Sequence, residues 1–255
     1  MAMRNGICHI CGNYGPLSFE HIPPKAAFNN RPVVRLSFDE AFTLGPDAKP
    51  KGKTDQKGMG GYTLCERCNN NTGSWYGNHF VDWCYQGMAT LVRAGGNPSL
   101  IYLNYVFPLP ILKQIVTMFF SVNSSNFQSH HPDLVRFVLN REARFLPPIY
   151  RFFVYYNIEG LSRSMGIAAL GNLKSGVVSL MSEITYPPFG YVMTIDSEPS
   201  DKRLFEITEF ARLKYNEFKV MELKLPVLPT HGPAPGDYRS KKQFEEESGI
   251  TPKED

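Results

Sequence analysis

Apolar and polar residues alternate over residues 17–22, with Leu17 and Phe19 on one side of the pattern. A period of two predicts a half-buried strand, because successive side chains point to opposite faces. Pro23-Pro24 ends it, since neither residue donates to a ladder. A weaker alternation over 33–44 (Val34, Leu36, Phe38) predicts a second strand pair, and 62–64 a short strand. From about 68 to 85 the period changes. Trp75, His79, Asp82 and Trp83 are spaced by three and four, which predicts a helix, weakened at Gly73 and Gly77. Residues 93–98 (Arg-Ala-Gly-Gly-Asn-Pro) break the pattern and mark a domain boundary.

Beyond that break the chain is richer in aromatic and aliphatic residues. Residues 100–107 predict a strand. Residues 110–120 predict a helix with Ile111, Leu112, Ile115, Val116, Phe119 and Phe120 on one face. Pro132 opens a short helix that turns Leu134, Phe137 and Val138 inward. The β-branched and aromatic runs at 149–156, 176–185 and 189–195 predict an antiparallel sheet. A helix is expected at 201–213 and a strand at 218–225. From Thr230 onward the chain is rich in proline and glycine, then charged, and is expected to be a poorly ordered tail. The fold class is α+β. An N-terminal module spans 1–94. An α+β domain with an antiparallel sheet spans 95–229 and sets specificity, regulation or dimerisation. A flexible charged tail covers 230–255.

Composition narrows the function classes. Apolar residues make up 42% and charged residues 20% of the chain, which suits a globular protein. The formal net charge of +3 permits a nucleic-acid partner without requiring one. No apolar run approaches the roughly 20 residues of a membrane span. Five cysteines are present, four of them in two CxxC pairs. With no secretory leader at the start, metal binding in a reducing cytoplasm is favoured over disulfides. Cys84 stands in an apolar setting and reads as a small buried hydrophobe.

The chemistry concentrates near the N-terminus. Cys8, Cys11, Cys65 and Cys68 can supply four thiolates to one tetrahedral zinc. Such a closed shell leaves no position for water, so the zinc is structural. His9, inside the first pair, reads as a neighbour of the site and not a ligand. Glu20-His21 ends the first strand. An imidazole can take a proton from water, and a carboxylate with an amide oxygen can hold a hard cation such as Mg²⁺ or Mn²⁺. Asn69, Asn70 and Asn71 follow the second cysteine pair, so a zinc clamp would bring them beside that strand; one of them could equally be a helix cap. Lys49, Lys51, Lys53 and Lys57 lie in a glycine-rich stretch that is either a mobile surface insertion or a phosphate-contacting arm. His79 can pack or contact phosphate, and His130-His131 reads as a solvated loop.

The segments Cys8-x-x-Cys11, Glu20-His21-Ile22-x-Pro24 and Leu64-Cys65-x-x-Cys68-Asn69-Asn70-x-x-Gly73 resemble the HNH endonucleases, the zinc-knuckle branch of the ββα-metal nucleases. The resemblance covers roughly residues 5–87. It implies an N-terminal ββα-metal module that hydrolyses DNA phosphodiesters, with Glu20 as a cation ligand and His21 as general base. Asn69 is the second ligand it implies, with Asn70 and Asn71 as contenders. Gly61 stands where the family usually has its middle asparagine. Double-stranded DNA is the expected partner, and a homodimer is compatible. The rival expectation is a non-catalytic zinc-knuckle module that binds nucleic acid or protein. A third is a nuclease restricted to RNA or single strands.

Overall fold

The computed structural model describes residues 4–43, 52–171 and 178–248. Strand β1 (Arg4–Ile7) turns through the first cysteine pair into β2 (Tyr14–His21). An excursion follows, made of β3 (Val33–Arg35), helix α1 (Phe38–Thr43) and β4 (Lys53–Asp55), which pairs with β3. Strand β5 (Gly60–Cys65) then returns antiparallel to β2, giving the sheet order β1-β2-β5. Gly60 lies opposite His21 with the Glu20 carbonyl against it, so a side chain there would collide with β2.

The expected strand pair at 33–44 is one strand and one helix. Ser37 opens the helix: its Oγ accepts from the Glu40 N–H at 3.2 Å, and the Glu40 carboxylate accepts from the Ser37 N–H at 2.6 Å. That reciprocal capping box satisfies two amides that a strand would have sent to a partner. In the lysine-rich stretch, residues 44–51 lie outside the described residues, and Lys53–Asp55 is strand, held by Arg35 donating to Asp55 at 3.1 Å.

Helix α2 (Glu66–Thr72) starts directly after Cys65 and continues through a π-helical turn at Gly73–Gly77 into α3 (Asn78–Arg93). The glycines expected to weaken the helix widen it there instead of ending it. Strand β6 (Tyr102–Val106) leads to α4 (Pro108–Val122), which is buried on all sides and not amphipathic. Such a helix belongs to the centre of a fold. Then come α5 (Phe127–His130), α6 (Pro132–Leu139) and the strands β7 (Tyr150–Tyr156), β8 (Arg163–Gly171), β9 (Val178–Tyr186) and β10 (Phe189–Ile195). Residues 201–213, expected as a helix, contain β11 (Phe205–Glu206) and a 3-10 turn at Thr208–Arg212. Pairing wins there: the Ile207 N–H donates to the Phe152 carbonyl at 2.8 Å, and Thr208 Oγ accepts from the Phe152 N–H at 2.9 Å. Strand β12 (Lys219–Leu223) pairs with β6, and α7 (Lys241–Ser248) closes the described chain.

The main sheet is antiparallel in the order β11-β7-β10-β9-β8, so the molecule is mixed α and β with antiparallel sheets. Its buried apolar cluster runs from Cys8 to Leu225 and passes across residues 94 and 95 without a break. Helix α3 is fastened to β10 by Trp83, which stacks on Phe189 at 4.8 Å and donates to the Tyr191 hydroxyl at 3.1 Å. Gly87 makes room for the Phe189 ring. Residues 230–238 do not trail away as a tail. Thr230 is fully buried, and Tyr238 is buried with its hydroxyl donating to Glu183 at 2.9 Å. Among the described residues no helix is long and apolar enough to cross a membrane.

Candidate metal centre and the strand beside it

The first cysteine pair sits in a tight turn. Gly12 adopts φ +73°, and its N–H donates to the Cys8 carbonyl at 2.9 Å. Only glycine takes that conformation without cost. The His9 N–H donates to the Thr63 carbonyl at 2.9 Å, which ties this turn to β5. Cys65 ends β5, and Cys68 lies in the first turn of α2. The four sulfurs lie within 4.8 Å of one another, with Cys11 and Cys65 at 3.8 Å. A tetrahedral zinc with bonds of about 2.3 Å places its sulfurs about 3.8 Å apart. The donor set therefore fits a metal ion, and a structural zinc in kind. Cys8 and Cys68 are buried, while Cys11 and Cys65 are half-buried. A hydrogen bond from Cys68 holds the Cys8 thiol down to about 4, against the opposing effect of burial. The same pairing pushes Cys68 up. One thiolate is thus favoured among four crowded sulfurs before any cation arrives. His9 Nδ1 pairs with the Phe120 carbonyl at 3.1 Å, so this ring is turned to α4.

Glu20 and His21 are the last two residues of β2 and point to opposite faces. Glu20 is 6% exposed and faces α4, where Ser121 Oγ donates to its carboxyl at 2.8 Å. Burial pushes Glu20 up to about 8, with the Ser121 bond opposing. His21 is half-buried beside the Phe19 ring, centroids 5.0 Å apart. Burial lowers its pKa, a bond to the Lys57 backbone opposes, and the charges of Lys25 and Lys57 lower it further. Its imidazole is neutral at neutral pH. Lys57 also lies 4.9 Å over the Phe19 ring.

Asn69 reaches the same strand. Its Nδ2 donates to Ser18 Oγ at 3.0 Å and to the Phe19 carbonyl at 3.4 Å. Asn70 is exposed and Asn71 half-buried, and the Asn71 carbonyl accepts from Ser74 Oγ at 3.0 Å. The fold therefore brings Asn69 to the strand that carries Glu20 and His21, while those two face apart. In kind, a carboxyl and side-chain amides suit a hard cation. In state, burial favours the protonated form of Glu20 and Ser121 occupies its carboxyl, and both oppose cation binding.

The sequence reading missed Ser121 and Lys25. Ser121 carries no local signal, since it meets Glu20 only through tertiary packing. Lys25 follows Pro23-Pro24 directly and was legible as a cation next to the histidine. His79 packs on Phe107 at 4.7 Å and Tyr215 at 6.3 Å. His131 is not solvated as expected: it packs on Phe127 at 4.2 Å and pairs with the Tyr150 hydroxyl at 3.0 Å. Cys84 is buried, and burial pushes its thiol up. No family model matches the chain, and neither a curated protein nor a solved structure matches it.

Proposed function

We propose that the chain is an endonuclease of the HNH type, acting on DNA, in which four cysteines hold a structural zinc and His21 is the general base. One observation supports this above the others. Strands β2 and β5 pair, helix α2 follows β5 at the four sulfurs, and the end of β2 carries a half-buried imidazole whose pKa burial and the charges of Lys25 and Lys57 lower. A neutral imidazole takes a proton from water at pH 7, and two ammonium groups offset the charge of a phosphate. The zinc supplies rigidity and no chemistry. A Mg²⁺ or Mn²⁺ cofactor would be held by Glu20 and Asn69, with Asn70 or Asn71 as alternates, only after Glu20 leaves Ser121 and loses its proton.

Nicking of supercoiled plasmid in Mg²⁺ or Mn²⁺, stopped by EDTA, is the expected activity. His21→Ala should lower its rate by about 10²-fold or more, with zinc content unchanged. Unchanged nicking by that variant would remove the base assignment. The buried, neutral state of Glu20 favours a second reading, a non-catalytic zinc-knuckle module that binds nucleic acid or protein. Retention of DNA on the chain with no cleavage in either cation selects it. Parallel assays on RNA and single-stranded DNA separate the narrower nuclease.

A further inference from the structure

Away from the cysteines, α3 and the β6–β12 ribbon line a cavity of about 390 Å³ that opens to solvent. Its walls include His79, Asp82, Tyr85, Tyr105, Phe107 and Phe218. Tyr85, Tyr105 and Phe218 are 55%, 54% and 51% exposed, a large amount of aromatic surface in one place. Tyr105 and Phe218 lie nearly parallel, 23° apart with centroids at 6.5 Å, and Phe107 stands edge-on to Phe218 at 5.5 Å. The walls are braced. The Gln86 side chain donates to the Tyr105 carbonyl at 2.9 Å and accepts from the Tyr105 N–H at 2.8 Å. That amide completes the edge of β6 as another strand would, and it ties the rings to α3.

Charge identifies the occupant. Asp82 is exposed, and no lysine or arginine pairs with it among the described residues; His79 of the same wall feels its charge, but burial lowers the pKa of that imidazole. No lysine or arginine lines the cavity. A phosphate-bearing ligand would meet one negative charge and no positive one. A flat neutral ring would stack but leave Asp82 unused. A guanidinium satisfies both features, since it lies flat on aromatic faces and forks two N–H groups onto a carboxylate. We propose that this cavity binds a guanidinium group, stacked on Tyr105 and Phe218 and paired with Asp82. The source is a free guanidinium compound or an arginine side chain of a partner.

The test uses the full zinc-loaded chain and three probes, followed by amide chemical shifts. Ethylguanidinium should move the amides around Asp82 and Phe218, with Kd on the order of 1 mM for so few atoms. Ethylammonium, which carries the charge without the plane, should bind several-fold more weakly. Guanosine monophosphate should not bind here. Asp82→Asn lies at the surface and should fold normally while weakening ethylguanidinium about tenfold, and Phe218→Ala should weaken it severalfold. Equal affinity for the two cations, an unaffected Asp82→Asn variant, or preference for the nucleotide each overturns the proposal. Tighter binding of an acetylated arginine amide than of ethylguanidinium assigns the site to a partner's side chain, and the reverse assigns it to a free compound.

Discussion

A buried carboxyl keeps its proton when no cation stands near it, because the charged form loses hydration and regains little. Glu20 is in that position, with the Ser121 hydroxyl as its hydrogen-bond partner and a value pushed up to about 8. The folded state therefore binds a proton that the unfolded chain releases near pH 4.5. The stabilisation is complete below about 4.5 and is lost as pH rises through about 8, because in that window the folded chain holds more protons. The effect is on the order of a few kcal/mol. Glu20→Gln keeps the shape and cannot ionise, so its melting temperature should rise relative to the natural chain between pH 5 and pH 8. A constant difference across that window would mean Glu20 is already charged. A repeat with Mg²⁺ reports on the cation directly, since a bound cation favours the carboxylate and should shrink the difference. Lys113 is a second residue held against its usual chemistry. Burial lowers it to about 7, and its Nζ donates to the carbonyls of Phe137 and Asn140, each at 2.6 Å. Those carbonyls end α6, so Lys113 caps one helix from inside another. Lys113→Met keeps the apolar stem and strands both acceptors, and thermal unfolding should show a loss of about 1–3 kcal/mol.

At the scale of elements, the sulfur cluster is a fastening between two segments far apart in the chain. It joins the turn between β1 and β2 to the junction of β5 and α2. Cys65→Ser should abolish stoichiometric zinc and sharply lower the melting temperature, whereas Cys84→Ser should retain the metal; elemental analysis with melting curves distinguishes them. Equal zinc in both variants would show that Cys65 is not a ligand. This clamp was legible because two-residue spacings declare themselves locally, as did the alternation that makes β2 and the apolar runs that become β7, β9 and β10. Other elements depend on partners that spacing does not reveal. Strand β8 carries glycine and alanine and little β-branched character, and it exists because β9 pairs along it. β11 and its 3-10 turn replace an expected helix because β7 offers an edge. Helix α1 is a different case, since Ser37 and Glu40 stood in the sequence as a capping signature that the apolar alternation hid. The candidate site divides the same way. His21 and the asparagine run were visible, and the covering of Glu20 by Ser121, 101 residues away, was not.

At the scale of the whole molecule, the central strands β7 and β10 of the main sheet are buried on both faces. One face packs on α3 and α4. The other holds Phe153, Tyr155, Met181 and Val192, and it is closed by Leu204, Leu228 and Tyr238. The segment carrying Leu228 and Tyr238 is held by a buried ion pair. Arg163 donates to Glu183 at 3.1 Å and also to the carbonyls of Gly232 and Ala234. Glu183 in turn accepts from the hydroxyls of Tyr155 at 2.6 Å and Tyr238 at 2.9 Å, and from the Gly236 N–H at 3.1 Å. A buried pair held by this many hydrogen bonds is tolerated, although Arg163 Nε itself has no partner among the described residues, and a charge left alone is not. Arg163→Met removes the cation and leaves the carboxylate enclosed, so urea unfolding should show a loss of about 3–5 kcal/mol. Adding Glu183→Gln to that variant removes the stranded charge and should recover part of the loss, because the amide still accepts from Tyr238. If the closing segment depends on this pair, proteases should cut Arg163→Met between Thr230 and Tyr238 before the rest of the fold opens. Uniform resistance there, together with a loss below about 1 kcal/mol, would mean the apolar contacts of Leu228 and Tyr238 hold the segment by themselves.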